Sequence, residues 1–513
     1  MFDLTAAAHG VLAIGFEGSE VAAARAFAPG AIVLFGRNVG SADELRALIA
    51  ELRTGDGIPP LIAVDQEGGR VARIIDGVAA LPSAMAFGAA GDPALTETCA
   101  TLLGRDLAAL GISVDFAPVA DLADAPSSTV VGTRAFGDDP KRVGAQAAAF
   151  ARGLQRGGVA ATLKHFPGHG ATATDSHAAL PVVDADLAAL RARELVPFVR
   201  ALADAAPALV MSGHLVVRGV DAVRPATRSH ALLTELLRGE LHFDGVICTD
   251  CLEMDAIAGD VGVAAGAVDA LAAGADLVLV TQGGTDVHGV ADAIVDAVHN
   301  GRLPQARLED AHARVLALRE RYATLTPFAG ATDAQAPASA ALAAVTALRG
   351  DPALRADAAV TVISFEGAVT DRAARSGTAS ASGAPSLSAA LRKRRRKSEI
   401  MRVPLDPDDD DLDLLLEHVP RLGEREFVIM TRRADLHPAQ RIAVERLLAL
   451  VPGALVVAAR EPFEAALFPG AQRVACCYGD SELQIDALAE VLDGRAPARG
   501  TLPVRLSEHA AVR

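Results

Sequence analysis

Tryptophan is absent from this sequence, and tyrosine occurs only twice. Any ligand cleft is therefore walled by aliphatic and hydrogen-bonding side chains rather than by stacked indoles. Cysteine is scarce, five in 513 residues, which excludes a disulfide framework. Cys248 and Cys251 stand in a C-x-x-C. No second pair at metal-ligand spacing accompanies them, so neither a zinc nor a redox role is expected there. Cys476 and Cys477 read as small buried strand residues. Long apolar runs are missing too. The most apolar long segment, VGVAAGAVDALAAGADLVLV (261–280), carries Asp269 and Asp276 and reads as a buried helix and strand, not a membrane span. The start, MFDLTAAAHG, lacks the basic residues and apolar run of a secretory signal, so a cytoplasmic protein is expected. Positive charge is in deficit. A formal net charge of −16 argues against non-specific nucleic-acid binding.

What is present is an apolar chain, 51% hydrophobic, long enough for two or three domains. Residues 1–325 alternate short β-branched runs with Ala/Leu/Arg-rich helical stretches. Eight strand candidates stand out: VLAIGF (11–16), AIVLFG (31–36), LIAVDQ (61–66), ISVDFAPV (112–119), ATLKHF (161–166), ALVMSGHL (208–215), GVICTD (245–250) and LVLVTQ (277–282). Amphipathic patterns such as ADELRALIAELR (42–53) and AQAAAFARGLQRGG (145–158) separate them. Repeated β–α units with buried strands predict a parallel sheet with covering helices, and eight units predict a (β/α)8 TIM-type barrel. Chemically capable side chains gather at strand ends: Asp65 and Glu67, Asp121, Lys164-His165, His214 and Asp250. Such barrels carry their sites at that face.

Residues 326–350 read as a Pro/Ala/Thr-rich linker. Residues 351–513 begin a second α/β pattern with strand candidates at 358–365, 399–405, 426–433, 454–461 and 473–479. A smaller three-layer α/β sandwich is expected. Two charged tracts interrupt it, RKRRRK (392–397) and DPDDDDLD (406–413). They are expected to be solvated faces that attract one another, with an anion or partner site at the basic tract as the alternative.

One stretch concentrates chemistry: LKHFPGHGATATDSHAALP (163–181). Pro167, Gly168 and Gly170 oppose the helix that would put His165 and His169 on one face, so no metal site is expected. Asp175 stands two residues before His177. A carboxylate there can take one ring N–H, fix the tautomer and leave the other nitrogen to give or take a proton. A second carboxylate, Asp250, ends another strand. Hydrolysis of a glycosidic bond with retention needs an acid/base and a nucleophilic carboxylate across that bond.

VDQEGGRVAR (64–73), KHFPGHG (164–170), the D-S-H at 175–177 and FDGVICTDCLEM (243–254) resemble glycoside hydrolase family 3. More narrowly, they resemble its bacterial β-N-acetylglucosaminidases of cell-wall recycling. GAIVLFGRN (30–38), FAPVADL (116–122) and GTRAFGDDP (132–140) follow the same order, so the likeness runs over about residues 10–325. The resemblance implies a (β/α)8 barrel and a retaining mechanism. It assigns the nucleophile to Asp250 and the acid/base to His177, oriented by Asp175. It assigns sugar binding to Asp65, and contacts with hydroxyls or the N-acetyl group to Arg73, Arg134, Lys164 and His165. Met211 and His214 are expected to line the pocket, and His169 to brace its loop. No cofactor or metal is implied. The implied substrate is a small amino-sugar glycoside, a muropeptide or chito-oligosaccharide.

The chain departs from the pattern at Cys251, where an acidic residue often follows the nucleophile. It also carries the extra C-terminal domain of longer relatives, from which no catalytic residue is expected; GTLPVRL (500–506) resembles their closing strand. Four alternatives stay open, the simplest being another glycosidase specificity such as that of a β-glucosidase. A phosphorylase would pass the glycosyl group to phosphate, an acceptor that an imidazole does not repel. A substrate-assisted hydrolase would use the substrate's acetamide in place of Asp250. A non-catalytic sugar-binding protein would use neither Asp250 nor His177.

Overall fold

The computed structural model describes residues 2–18, 20–123, 131–170, 180–323, 329–367 and 386–506. Eight parallel strands close into a barrel. They are β1 (Leu12–Ile14), β2 (Ala31–Leu34), β3 (Leu61–Val64), β4 (Val114–Asp115), β5 (Ala160–Phe166), β6 (Leu209–Ser212), β7 (Val246–Cys251) and β8 (Leu277–Val280). All eight strand candidates are found. Closure is made by β1 on β8, with Leu12 opposite Val278 and Ile14 opposite Val280.

Period-two alternation explains why apolar runs build this sheet. Ala31, Val33, Leu61, Ala63, Val114, Leu209, Met211, Val246, Cys248, Leu277 and Leu279 pack together inside the barrel. Their neighbours Ile32, Leu34, Ile62, Val64, Val210, Ile247, Val278 and Val280 face the surrounding helices. Both faces of every strand are therefore buried, as a parallel sheet requires.

Downstream, a six-stranded sheet forms from β9 (Thr346–Arg349), β10 (Val360–Glu366), β11 (Ser398–Pro404), β12 (Glu426–Thr431), β13 (Leu455–Ala458) and β14 (Arg473–Cys476). Their spatial order is β9-β14-β13-β12-β10-β11. Val362, Val428 and Val457 meet the helices of Leu391 and Leu488 on one face. Ile363, Ile429 and Val456 meet those of Leu415 and Val444 on the other. This is the expected three-layer sandwich.

Three expectations need correction. Inside the stretch read as a linker, Ala336–Ala344 is helical and Thr346–Arg349 is an edge strand antiparallel to β14. The alanine run that resembled a linker is also a strong helix former. Second, residues 500–506 form no strand. Their backbone instead laces the two halves, with Thr501 N–H donating to Ala89 O and Asp138 N–H to Pro503 O. Third, the two charged tracts do not pair with one another. Lys393, Arg394 and Arg396 pair with Glu482, Glu490 and Asp493 on and beside the helix Glu482–Leu492. Asp408 caps the helix Asp409–His418. Charge sign alone could not say which opposite charge lies within reach.

Met85, Ala86, Val119 and Val131 of the barrel pack with Ala458, Phe463, Tyr478 and Val504 into one apolar cluster between the halves. Among the described residues, no helix is long and apolar enough to cross a membrane.

Candidate active site

The C-terminal ends of β3, β4, β5 and β7 bring the charged residues together. After β3 the chain makes a tight hairpin, Gln66–Gly68 against Val71–Ala72, with Gly68 and Gly69 at φ 89° and 56°. Both angles lie in the region that glycine tolerates. The Gln66 side chain closes the hairpin. Its amide oxygen accepts Arg73 N–H and Ile74 N–H at 2.8 and 3.0 Å, and its nitrogen donates to Ile74 O at 2.8 Å. The hairpin thereby returns Arg73 to within 3.9 Å of Asp65.

Lys164, on β5, is 2% exposed and stands at the centre. Its Nζ lies 2.9 Å from Asp65 Oδ1 and 2.7 Å from Glu67 Oε1. Arg134 adds a bidentate pair to Glu67, Nε and Nη2 donating at 2.8 and 2.7 Å. Burial alone would raise the Glu67 pKa, but the charges and hydrogen bonds of Arg134 and Lys164 outweigh it and hold the carboxylate ionised. Burial likewise opposes the Lys164 charge, and Asp65 and Glu67 restore it. The result is an alternating row of charges, Arg73–Asp65–Lys164–Glu67–Arg134, drawn from the hairpin (Glu67, Arg73), from strand ends (Asp65, Lys164) and from the helical turn Gly132–Arg134.

A second hub lies beside it. Asp121 is 1% exposed and gathers the KHFPGHG turn. It accepts His169 N–H at 2.7 Å, His165 N–H at 3.2 Å and His165 Nδ1 at 2.7 Å. A carboxylate only accepts, so Nδ1 carries the proton and Nε2 presents a lone pair when the ring is neutral. Beneath the row, Asp115 is fully buried and accepts Gln66 N–H at 2.9 Å. Burial pushes its carboxyl well above the ordinary range.

Asp250 sits at the end of β7, and Cys251 N–H donates to its Oδ1 at 2.7 Å. Met211, 3% exposed, is in register between Lys164 and Cys248 and floors the barrel there. His214 departs from its expected place. It is fully buried, with Nδ1 2.8 Å from Thr227 Oγ1 and Nε2 2.9 Å from Cys251 O. It supports the site from behind instead of lining it. Asp175 and His177 lie outside the described residues. Among the described residues, no group of three or more His, Cys, Asp or Glu side chains is placed to hold a metal.

Sequence reading therefore brought Asp65, Arg73, Arg134, Lys164 and His165 to one place but passed over Glu67 and Asp121 as site residues. In the sequence both stand out only as strand-end charges. The signal for Glu67 was present: a carboxylate two residues beyond Asp65, followed by paired glycines, in a turn that needs a counter-charge.

Glycosyl hydrolase family 3 N terminal domain matches residues 19–318. The chain belongs to this family. It is a glycosidase built on the family's barrel. A beta-hexosaminidase of Chromobacterium violaceum is 44% identical over 274 residues, covering 52% of this chain and 76% of that protein. One of Pseudomonas aeruginosa is 46% identical over 257 residues, covering 49% and 74%. A solved glycoside hydrolase family 3 beta-N-acetylglucosaminidase from Paenibacillus sp. matches 99% of both chains at 33% identity, with a TM-score of 0.89. Both halves of this chain thus have a counterpart there. A beta-glucoside phosphorylase at 20% identity and a TM-score of 0.80 shares the fold.

Proposed function

We propose that the chain is a retaining exo-β-N-acetylglucosaminidase that releases terminal N-acetylglucosamine from muropeptides or related amino-sugar glycosides. The observation that carries this reading is the strand order of the closed barrel, which sets Asp250 at the end of β7, opposite β3, whose end leads into Asp65. Asp65 and Glu67 are held by Lys164 and Arg134, so the row supplies charges that grip a ligand while Asp250 stands on a separate strand end. In this reading Asp250 attacks the anomeric carbon as the glycosidic bond breaks, and His177 gives its proton to the leaving oxygen. A covalent glycosyl-enzyme results. His177, oriented by Asp175, then takes a proton from water, and the water displaces Asp250 with net retention. Asp65 accepts hydrogen bonds from sugar hydroxyls. Lys164, Arg134, Arg73 and His165 Nε2 surround the ring and the N-acetyl group. A role in peptidoglycan recycling follows from this substrate class.

The test is product analysis with an aryl β-N-acetylglucosaminide, with and without phosphate. Free N-acetylglucosamine at equal rates supports the hydrolase. N-Acetylglucosamine 1-phosphate, formed at a rate that climbs with phosphate, replaces it with a phosphorylase. Asp250→Asn should reduce turnover by several orders of magnitude without loss of folding, and a fluorinated sugar should trap an adduct on Asp250 of the wild type.

A further inference from the structure

The residue after Asp250 is held through both its backbone and its side chain. Cys251 N–H donates to Asp250 Oδ1 at 2.7 Å. Its Sγ lies 3.0 Å from Thr281 Oγ1 on the loop after β8. The peptide group that joins Cys251 to Leu252 is held at both ends. Leu252 N–H donates to Leu279 O at 3.0 Å, while the carbonyl accepts Met254 N–H at 3.2 Å and the His214 ring at 2.9 Å.

His214 is the one side chain among these carbonyl and amide partners, and it comes from a different strand end. A carbonyl only accepts, so Nε2 carries the ring proton. Nδ1 lies 2.8 Å from the Thr227 hydroxyl, whose one proton is shared with the Gly213 carbonyl at 3.2 Å. Thr227 is itself fully buried and lies 3.0 Å from Ser212 Oγ. The Cys251 carbonyl thus sets the tautomer, and the ring is locked between the end of β6 and the end of β7. With 0% exposure it has no surface to offer a sugar.

We infer that His214 is a positioning residue for the Asp250 carboxylate, acting through Cys251. The inference rests on the reading of Asp250 as nucleophile. By clamping the Cys251 carbonyl, His214 fixes the backbone angles of Cys251 and with them the direction of the N–H that holds Asp250 Oδ1. A carboxylate that rotates freely seldom points its other oxygen at an anomeric carbon, and a small misplacement costs rate far more than affinity.

The experiment compares His214→Phe, which fills the space without a donor, with His214→Gln, which keeps an amide donor within reach of the carbonyl. Steady-state rates are measured with an aryl β-N-acetylglucosaminide, and the rate of adduct formation with a fluorinated N-acetylglucosaminyl fluoride is followed by intact mass. His214→Phe should lower kcat and the trapping rate in parallel, by about 10- to 100-fold, with KM within about twofold. His214→Gln should recover most of that loss. Thr227→Val, which removes the hydroxyl facing Nδ1, should move kcat the same way by less, and it carries the test if His214→Phe does not fold. A normal kcat in folded His214→Phe or in Thr227→Val overturns the inference. So does a rise in KM alone, which would mark a substrate contact, or a glutamine variant as slow as phenylalanine. Asp250→Asn separates the two readings. If it stays active, the nucleophile assignment fails whatever His214 does. If it is dead and His214→Phe is normal, only this inference fails.

Discussion

Glu461 of the second domain lies against Gly132 of the barrel, so closely that a Cβ on Gly132 would stand 2.5 Å from Glu461 Oε1. Gly132 is two residues before Arg134, which clamps Glu67. Glu461 is 2% exposed and 4.0 Å from Arg70. Burial would raise its pKa, but the charges of Arg433, Arg70 and Arg460 prevail and keep it ionised. The second domain thus presses a buried negative charge onto the turn that carries a site arginine.

This contact predicts that the barrel site is sensitive to a residue outside the barrel. Gly132→Ala should be destabilising by about 1–3 kcal/mol, from the contact with Glu461 and from a φ of 47° that alanine resists. Its KM should rise as the Arg134 turn shifts. Thermal melting and steady-state kinetics check both. A variant with wild-type melting and wild-type KM would show that the turn is not held by this contact.

Lys164 predicts a larger effect. Lys164→Met keeps the length of the side chain and removes its charge, leaving Asp65 and Glu67 without their shared ammonium. Removing one partner from a buried ion pair costs about 3–5 kcal/mol. Activity should fall to background, because Asp65 then repels Glu67 and turns from the pocket. Lys164→Arg should not rescue, since a planar fork does not fit a site built for a point charge. Chemical denaturation giving wild-type stability for Lys164→Met would refute the arrangement.

The fold was legible because its determinants are local. Eight buried strands announce themselves as β-branched runs such as LIAV and LVLV, each needing only its own residues to be recognised. The site was legible only in part. Asp65, Lys164, His165 and Asp250 stand at strand ends, where position along the chain already places them at the barrel mouth. His214 ends a strand too, yet its ring turns inward to a carbonyl from the neighbouring strand, a direction that no spacing encodes. Arg394 and Arg396 failed for a related reason. Their acidic partners, Glu490 and Asp493, lie 96 and 97 residues on, beyond what charge patterning can see.

Asp121 sets the tautomer of His165, and this gives a prediction with a definite mechanism. In Asp121→Asn the amide oxygen can still accept the His169 and His165 backbone N–H groups, while its NH2 faces His165 Nδ1. The ring must then carry its proton on Nε2 and can no longer accept there from a sugar hydroxyl. We expect kcat/KM to fall about 10- to 100-fold with little change in melting temperature. Asp121→Asn with unchanged kcat/KM would mean that His165 does not meet the substrate through Nε2.

Glu464 supplies the pH dependence. It is fully buried in the second domain and accepts Ala434 N–H at 2.7 Å. Burial pushes its carboxyl from an ordinary 4.5 up to about 8. The folded state therefore holds this proton where the unfolded chain has released it. The sign follows: the contribution to stability is complete below about pH 4.5 and is lost as pH rises toward 8. Glu464→Gln mimics the protonated acid at every pH and keeps an oxygen for Ala434. Wild type and variant should have similar stability at acid pH. By the alkaline end the wild type should have lost on the order of 2–4 kcal/mol relative to the variant. Urea unfolding of both proteins across this range measures the gap, and parallel stability curves would mean that Glu464 titrates at its ordinary value despite its burial.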